Sequence, residues 1–372
     1  MERGAMAAGG SDDASRVPAV SRAVSVLDDI ARNGPATLAD LARRLALPKS
    51  SLLSICQALL AQRLLAQGSG GRYTLGLGVA ELAAAELEHP PRLAVLGVSL
   101  PNAENPFYAV ELDGIRQAAA ELGAQVVTRE AGGEVTRQIE QLRELVRAGA
   151  DAVVLDAVHS TEVAGAVAEA EAAGVRVIAV NVGAEGAGVT VTTDNIQAGQ
   201  SVGHYLAALL GGHGEVGVVD GLHVTAVADR IVGFVAALRD YPGIRVVARQ
   251  RGDHSPRSGE RAARRILAAH PGLSGMFSVN DPMAEGALAA MSERSVSVPL
   301  VSVDGSAAAA AAIAAGGPWR ASAAQEPARL GRLAVRYAAR LLSQGARPPG
   351  PVRLLPTRLI TQADVADYEP WG

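Results

Sequence analysis

Apolar residues recur at helical spacing in three short segments near the beginning of the chain. In the first segment, Val20, Val24, Leu27 and Ile30 follow one another every three or four residues, which predicts a helix with one buried face. Asn33-Gly34-Pro35 closes this segment, because glycine and proline mark helix ends. The pattern predicts a small, mainly helical module.

Two more helices are predicted before the next change of pattern. Thr37 followed by Asp40 is typical of a helix start, and Leu47-Pro48 suits a turn that leads into a third helix. The third helix has an apolar and a polar face. The apolar face is predicted to bury Leu52, Leu53, Cys56, Leu59 and Leu60, and the polar face carries Lys49, Ser50, Ser51, Ser54 and Gln57.

A glycine-rich turn follows the third helix. Residues 63–66 and 72–75 flank Gly68-Ser69-Gly70-Gly71, which is the pattern of a β-hairpin. Three helices and a hairpin form a winged helix-turn-helix. Residues 15–80 carry eight basic and three acidic groups, whereas residues 81–372 carry 25 basic and 32 acidic groups. A basic module joined to an acidic one indicates DNA as a partner.

The polar face of the third helix has the side chains that a DNA-reading helix needs. Short or flexible polar groups can approach base edges, and cations can approach phosphates. The alternative interpretation is an ordinary solvent-exposed helix face without a DNA-binding role. The candidate DNA-binding residues are Arg43, Arg44, Lys49, Ser50, Ser51, Ser54, Gln57 and Arg72.

From Leu93 onward, short apolar segments alternate with alanine-rich helical segments. Such alternation predicts an α/β fold with parallel sheets that are covered by helices on both faces. Nine strands are many for one open sheet, so two lobes are expected. The predicted strands cover residues 93–98, 125–128, 152–155, 176–180, 189–191, 215–219, 245–250, 275–278 and 300–303.

Polar and aromatic residues stand just past several of these strands. Ligands bind at the carboxyl ends of parallel strands, and a sugar needs flat apolar rings together with fixed hydrogen-bond donors and acceptors. The alternative for each residue is turn or capping chemistry. The candidate ligand-binding residues are Asn105, Phe107, Tyr108, Asn181, Arg230, Asn280, Asp304 and Gln325.

Composition and motifs argue against several other classes of function. Cys56 is the single cysteine, so no intramolecular disulfide can form. No run approaches the about 18–20 apolar residues of a membrane span, and the N-terminal segment lacks the apolar core of a signal peptide. The seven histidines show no metal-ligand spacing. Neither a cofactor nor an enzyme activity is predicted, since no nucleophile or positioned acid–base pair is apparent.

Two family resemblances fit these patterns. The run LARRLALPKS and the closing GRYTLG resemble the winged helix of IclR-type regulators. LGVSLPNAENPFYAVELDGIRQAAAELG, TTDNIQAGQ, ADRIVGF, FSVNDPMAEGAL, VSVDG and ASAAQ resemble, in order, the type 1 periplasmic-binding fold in its ribose-binding-like branch, which also forms the LacI/GalR-type sensor. The resemblances imply a cytoplasmic regulator that binds operator DNA as a homodimer and responds to a sugar-like effector.

One departure from the second family concerns the ligand. The sugar binders commonly show Asp-Arg after the fourth strand, and this chain has Asn181-Val182. Ribose itself is therefore in doubt, and a sensor that binds a protein partner stays an alternative. An exported solute-binding protein would share the large domain, but it should have a signal peptide and lack residues 15–80.

The expected organisation has four parts. Residues 1–14 are a disordered N-terminus, 15–79 the winged helix-turn-helix, 80–91 a linker, and 92–372 the two-lobed sensor. The first lobe should contain about 92–194 and 327–345, and the second about 195–325 and 352–372. Crossings between the lobes are expected near 193–195, near Gln325 and near 346–352.

Overall fold

The computed structural model describes residues 18–45, 47–87, 93–102, 105–344 and 352–371. The chain divides into two compact units, Met1–Pro90 and Pro91–Gly372. The expected disordered start at 1–14 and the last residues of the expected linker, 88–91, lie outside the described residues. The first unit contains α1 Pro18–Asn33, α2 Leu38–Leu45, α3 Lys49–Ala61, β1 Leu65–Gln67, β2 Tyr73–Leu75 and α4 Leu77–Leu87.

The first unit has the order of elements that the sequence predicts. Thr37 and Asp40 cap α2 reciprocally, because the Asp40 amide donates to Thr37 Oγ1 at 3.2 Å and Thr37 Oγ1 donates to Asp40 Oδ2 at 2.7 Å. One residue of α3 departs from the prediction. Leu53 is 41% exposed, and Ile55 is buried in its place, since Leu53 lies on the same face as Ser50, Ser54 and Gln57.

The hairpin leads directly into the fourth helix. Strands β1 and β2 pair antiparallel, with Leu65 opposite Leu75. Helix α4 begins at Leu77, inside the predicted winged-helix range, and the Gly78 amide donates to the Arg63 carbonyl at 2.8 Å. The first turn of α4 is therefore anchored on the hairpin.

The second unit contains two six-stranded sheets. The first sheet has the strand order β13-β7-β6-β5-β3-β4, and the second has β14-β12-β11-β10-β8-β9. The strands are β3 Val95–Leu100, β4 Gln125–Glu130, β5 Ala152–Leu155, β6 Arg176–Val180, β7 Val189–Thr193, β8 His213–Asp220, β9 Gly243–Arg251, β10 Gly275–Ser278, β11 Leu300–Asp304, β12 Trp319–Ala324, β13 Val352–Leu355 and β14 Arg358–Thr361.

Helices join most of these strands, so the predicted α/β architecture with two lobes is confirmed. Every strand pair of the first sheet is parallel, and only β14 runs antiparallel, against β12, in the second. The helices are α5 Pro106–Glu121, α6 Val135–Arg147, α7 Ala164–Ala172, α8 Asn195–Leu209, α9 Thr225–Leu238, α10 Pro256–Ala269, α11 Asp281–Glu293, α12 Ala307–Ala314 and α13 Pro327–Gln344.

Three crossings between the lobes lie within the described residues. The first crossing joins β7 to α8 at Asp194, and the second joins β12 to α13 at Gln325 and Glu326. The third was expected near 346–352, but β13 pairs in parallel with β7. Residues 352–355 therefore belong to the first lobe, and the third crossing lies at Pro356 and Thr357, between β13 and β14. Within the described ranges, no helix combines the length and apolar character that a membrane crossing requires.

Helices α8 and α9 pack closely against each other in the second lobe, and this contact fixes the position of Arg230. A Cβ atom on Gly199 would lie 2.1 Å from the Arg230 carbonyl oxygen, and one on Gly233 would lie 2.1 Å from the Ile196 carbonyl oxygen. Both glycines belong to sequence runs that carry the family resemblance. They let the two backbones touch, and the contact fixes Arg230 on the first turns of α9.

Candidate ligand cleft and nucleic-acid interface

A cavity of about 150 Å³ lies between the two lobes of the second unit. A cavity of this size can hold a six-membered carbon ring. The first lobe contributes residues from α5 and from the end of β6, and the second lobe contributes residues from α9 and from the ends of β10 and β11. Its lining includes Asn105, Phe107, Tyr108, Asn181, Arg230, Asn280, Asp304 and Gln325.

Two of these residues also cap helices, so the alternative of capping chemistry applies to them as well. Asn105 Oδ1 accepts from the Phe107 amide at 3.0 Å, and Asn280 Oδ1 accepts from the Met283 amide at 3.1 Å. Each cap fixes the side-chain oxygen against its own helix. The Asn105 amide nitrogen is not used by its cap, whereas the Asn280 amide nitrogen also donates to the His254 carbonyl at 3.5 Å.

Two adjacent rings give the cavity an apolar wall. Phe107 and Tyr108 are both buried in the first turn of α5, and their ring centroids are 5.8 Å apart at an interplanar angle of 82°. An edge-to-face pair is a favoured arrangement of aromatic rings. One wall of the cavity therefore presents ring surface to whatever occupies it.

A buried polar network forms the opposite wall. Arg230 donates through Nε to Asn195 Oδ1 at 2.8 Å and through Nη1 to the Val279 carbonyl at 2.7 Å. Arg230 Nη1 also lies 3.4 Å from Asp304 Oδ1. The guanidinium thus has partners on three elements, which holds it rigidly in place.

Gln325 connects this network to the crossing segments. Gln325 Nε2 donates to Asp304 Oδ1 at 2.7 Å, while Gln325 Oε1 accepts from Thr193 Oγ1 at 2.6 Å. Thr193 ends β7 in the first lobe, next to the first crossing, and Gln325 lies in the second crossing. The bond between them ties two of the three connections together at the floor of the cleft.

The charge of the network is nearly balanced. Burial raises the pKa of Asp304 to about 7, the nearby Arg230 opposes that rise, and Asp281 adds to it. Asp281 is itself buried and accepts hydrogen bonds from Ser302, Ser322 and the Ser306 amide. Among the described residues that line the cleft, Arg230 is the one arginine or lysine, and it lies 3.4 Å from the carboxyl group of Asp304.

Asn181 is held by the buried carboxyl group of Asp156, and a second buried acid, Glu111, lies near Asp156. Asn181 Nδ2 donates to Asp156 Oδ2 at 2.9 Å. Asp156 Oδ1 and both oxygens of Glu111 have no hydrogen-bond partner among the described residues. Burial raises the pKa of Asp156 to about 8, and burial together with Asp156 raises the pKa of Glu111 well above its ordinary value.

The two lobes also touch at the mouth of the cleft. The Gly183 amide of the first lobe donates to Thr225 Oγ1 at 2.8 Å, and the Thr225 amide donates to Ser160 Oγ at 3.1 Å. Val182 is buried and lines the cavity, as do Val224 and Val227 from the second lobe. The lobes are therefore closed over the cavity by apolar side chains and by Thr225.

His254 also lines the cavity, although it is not among the candidate residues predicted from the sequence. It lies just past the end of β9, a strand that the sequence predicts at 245–250, and it has a left-handed backbone with φ of 71°. Its Nε2 accepts from the Leu222 amide at 3.2 Å. Burial and the Arg230 charge lower the pKa of His254 to about 4, so the imidazole is neutral at physiological pH and carries its proton on Nδ1.

The candidate DNA-binding residues lie mainly on one exposed surface of the first unit. Lys49, Ser50, Ser54 and Gln57 are exposed on α3, and Ser51 is half-buried. Arg22 of α1, which sequence reasoning missed, places its guanidinium 3.5 Å from Ser51 Oγ. The exposed Leu53 lies on this same face of α3.

The three predicted arginines differ in their contacts. Arg43 is exposed and pairs with Asp40 at 2.9 Å, and Arg72 is exposed and donates to the Pro35 carbonyl at 3.3 Å. Arg44 instead pairs at 2.8 Å with Asp29, whose side chain is 6% exposed. Arg44 thus has a structural partner inside the unit, which argues against a main role in contacting DNA.

Comparison with known families covers both units. The model of the IclR helix-turn-helix domain matches residues 19–69, and the model described as periplasmic binding protein domain matches residues 96–346, more than half of the chain. The chain belongs to the periplasmic binding protein domain family. It joins a ribose-type domain of this family to an IclR helix-turn-helix domain.

Relatives of this periplasmic binding protein domain include named import proteins. The ribose import binding protein of Bacillus subtilis is 29% identical over 246 residues, which cover 65% of this chain and 80% of the relative. The D-apiose import binding protein of Actinobacillus succinogenes is 31% identical over 236 residues, which cover 62% of this chain and 76% of the relative.

A solved structure supports the same fold. A transporter solute binding protein from Mycobacterium smegmatis with bound glycerol aligns with a TM-score of 0.70 and 29% identity, covering 74% of this chain and 96% of that one. Among the described residues, no three or more histidine, cysteine, aspartate or glutamate side chains are grouped so that they could hold a metal ion.

Proposed function

We propose that this protein is a transcriptional regulator that reads operator DNA through its first unit and binds a sugar or sugar-like polyol in the cleft of its second unit. The observation that carries the proposal is the joining of an IclR helix-turn-helix domain to a ribose-type binding domain in one chain. The cleft of the second unit brings all eight predicted ligand residues around one cavity.

The chemistry of the cleft favours a neutral ligand with several hydroxyl groups. Phe107 and Tyr108 offer ring surfaces, and uncharged amide side chains also line the cavity, although each already has at least one protein partner. These are Asn105, Asn181, Asn280 and Gln325. Arg230 already contacts Asp304 and Asn195, and the described lining residues include no second arginine or lysine that could bind a phosphate. The relatives named for ribose and D-apiose import are consistent with this class of ligand.

The proposed mechanism couples cleft closure to DNA binding. A ligand that contacts both lobes binds the closed state more tightly and so shifts the population towards it. We propose that the protein acts in the cytoplasm as a homodimer whose two α3 helices enter successive major grooves, which lie about 34–36 Å apart. A closure that alters this separation changes operator affinity.

The first prediction concerns the ligand. In thermal unfolding against pentoses, hexoses, polyols and their phosphates, an unphosphorylated compound should stabilise the second unit. At a hundredfold excess over the dissociation constant, the gain is about 2.7 kcal/mol. Because two units can melt separately, the shift is expected in the larger transition. Stabilisation by a sugar phosphate alone would contradict the neutral-ligand argument, and a silent panel would favour a protein partner.

The second prediction concerns DNA. Replacing Ser51 or Gln57 with alanine should relax base preference at single operator positions by about 1–3 kcal/mol, because a base-edge contact is lost. Arg72→Ala should instead weaken binding to all sequences and lower the salt slope by about one. Fluorescence anisotropy over a salt series measures both effects. Arg116→Ala, an exposed arginine of α5, is the control, and unchanged binding in all three test variants would refute the winged-helix interface.

A further inference from the structure

The last residues of the chain return to the cleft from the second lobe. After β14, Tyr368 Oη donates to the Gly305 carbonyl at 2.6 Å, and Trp371 Nε1 donates to the Asp304 carbonyl at 3.1 Å. The Trp371 carbonyl accepts from the Ala307 amide at 3.2 Å. Two aromatic side chains therefore hold two successive carbonyls of the turn that carries Asp304.

This turn has a backbone that needs such support. Asp304 has a φ of 143°, which side-chain-bearing residues rarely adopt. A Cβ atom on the next residue, Gly305, would lie 2.4 Å from Ala324 Cβ and 2.6 Å from Tyr368 Oη. Strained backbone of this kind persists only where the surroundings fix it, and it is frequent at binding sites.

Trp371 also reaches the other lobe. Its ring centroid lies 5.5 Å from that of Phe107, with the planes at 85°. Phe107 belongs to the first lobe and Asp304 to the second, and both line the cavity. One side chain thus contacts an apolar wall residue and the backbone of a polar wall residue across the cleft.

We propose that Tyr368 and Trp371 form a C-terminal aromatic clamp that positions Asp304 and Phe107 relative to each other for ligand binding. The proposal rests on the proposed sugar-binding function. Trp371 is a positioning residue in it, acting through Phe107 and Asp304. The clamp acts on both lobes at once, so loosening it should be detectable at two sites that are far apart in the sequence.

Hydrogen exchange of the full chain without ligand tests the clamp directly. Trp371→Ala should raise amide exchange both in the Asp304–Ala307 turn and in the first turn of α5, by about three- to tenfold, the effect of one lost neutral hydrogen bond. Trp371→Phe keeps a ring against Phe107 but loses the donor, so only the turn should exchange faster. Tyr368→Phe should also affect only the turn.

The matched control is Tyr241→Phe, because Tyr241 packs on His204 at the other end of the second lobe. It should change neither peptide. Unchanged exchange at both sites in Trp371→Ala would overturn the clamp. A uniform rise through the whole second unit would also overturn it, since that result shows only a general loss of stability.

Sugar binding gives an independent readout. With D-ribose, D-allose and myo-inositol as probes, calorimetry should show affinity falling by about tenfold in Trp371→Ala and by about threefold in Trp371→Phe. The fluorescence of Trp371, obtained as the difference between the emission spectra of the wild type and Trp371→Phe, should shift in wavelength when a sugar binds. Binding without any change in affinity or emission would overturn the positioning role. If no probe binds the wild type, the sugar class fails, and the exchange result still decides the clamp.

Discussion

Replacing Arg230 with alanine is expected to abolish sugar binding and to destabilise the second unit by about 3–5 kcal/mol, the usual result of removing one partner of a buried charge pair. Arg230 is 5% exposed and bonds to Asn195, the Val279 carbonyl and Asp304. The variant removes the donor from Asn195 Oδ1 and the Val279 carbonyl, and it leaves the buried Asp304, which still accepts from Gln325, without its cation. Urea unfolding gives the change in the free energy of unfolding, and calorimetry with a sugar that binds the wild type gives the affinity.

Two further variants make this test specific. Arg230→Ala combined with Asp304→Asn should recover part of the lost stability, because no unpaired carboxylate remains, while sugar binding stays absent. Arg257→Ala removes an exposed arginine from α10 and should change stability by less than about 0.5 kcal/mol. The network would lose its assigned role if Arg230→Ala retained wild-type affinity, or if the double variant were no more stable than the single one.

Replacing Glu111 with glutamine is expected to stabilise the second unit at pH 8 by about 1–3 kcal/mol, because an amide cannot ionise and can donate to an unsatisfied acceptor. The folded chain raises the pKa of Asp156 to about 8 and the pKa of Glu111 well above 4.5. Between pH 4 and 8 the folded state therefore holds more protons than the unfolded state, so wild-type stability falls as the pH rises.

Denaturant unfolding between pH 5 and 9 measures this effect. The variant should bring the numbers of protons bound by the folded and unfolded states closer together. For each proton by which that difference falls, the slope of the unfolding free energy against pH should become shallower by about 1.4 kcal/mol per pH unit. The control is Glu121→Gln at the exposed end of the same helix, which should leave the pH slope unchanged. Equal destabilisation by Glu111→Gln at every pH would show that the two acids are not a proton-holding pair.

Most strands of the core could be predicted because their sequences are mainly apolar. Ala152–Leu155 is buried throughout, and Arg176–Val180 is buried apart from the half-buried Arg176, and such runs are typical of parallel sheets. Trp319–Ala324, Val352–Leu355 and Arg358–Thr361 contain arginine or small residues and gave no such pattern. Two of them lie at sheet edges, where one face or edge stays solvated, so the third crossing was misplaced.

The candidate cleft could be predicted as far as it depends on strand ends. Asn181, Asn280 and Asp304 directly follow or end apolar strands, and their position implies convergence. Trp371 could not be found in this way, since its place depends on its contact with Phe107. His254 does lie past the predicted strand at 245–250, but its bond with the Leu222 amide is visible only in the fold. Arg44 shows the reverse case, because its charge suggested DNA contact and only the fold reveals its partner Asp29.

Operator binding with and without a sugar tests the central claim most directly. Operator fragments selected from genomic DNA by the full chain can be titrated by fluorescence anisotropy at fixed salt, with a sugar that stabilises the second unit. The account predicts that the sugar changes operator affinity by about 5- to 150-fold, the usual range of coupling between two sites, and that Arg230→Ala removes the response but still binds DNA. Selection of no DNA fragment, or a sugar that binds without changing operator affinity, would contradict it.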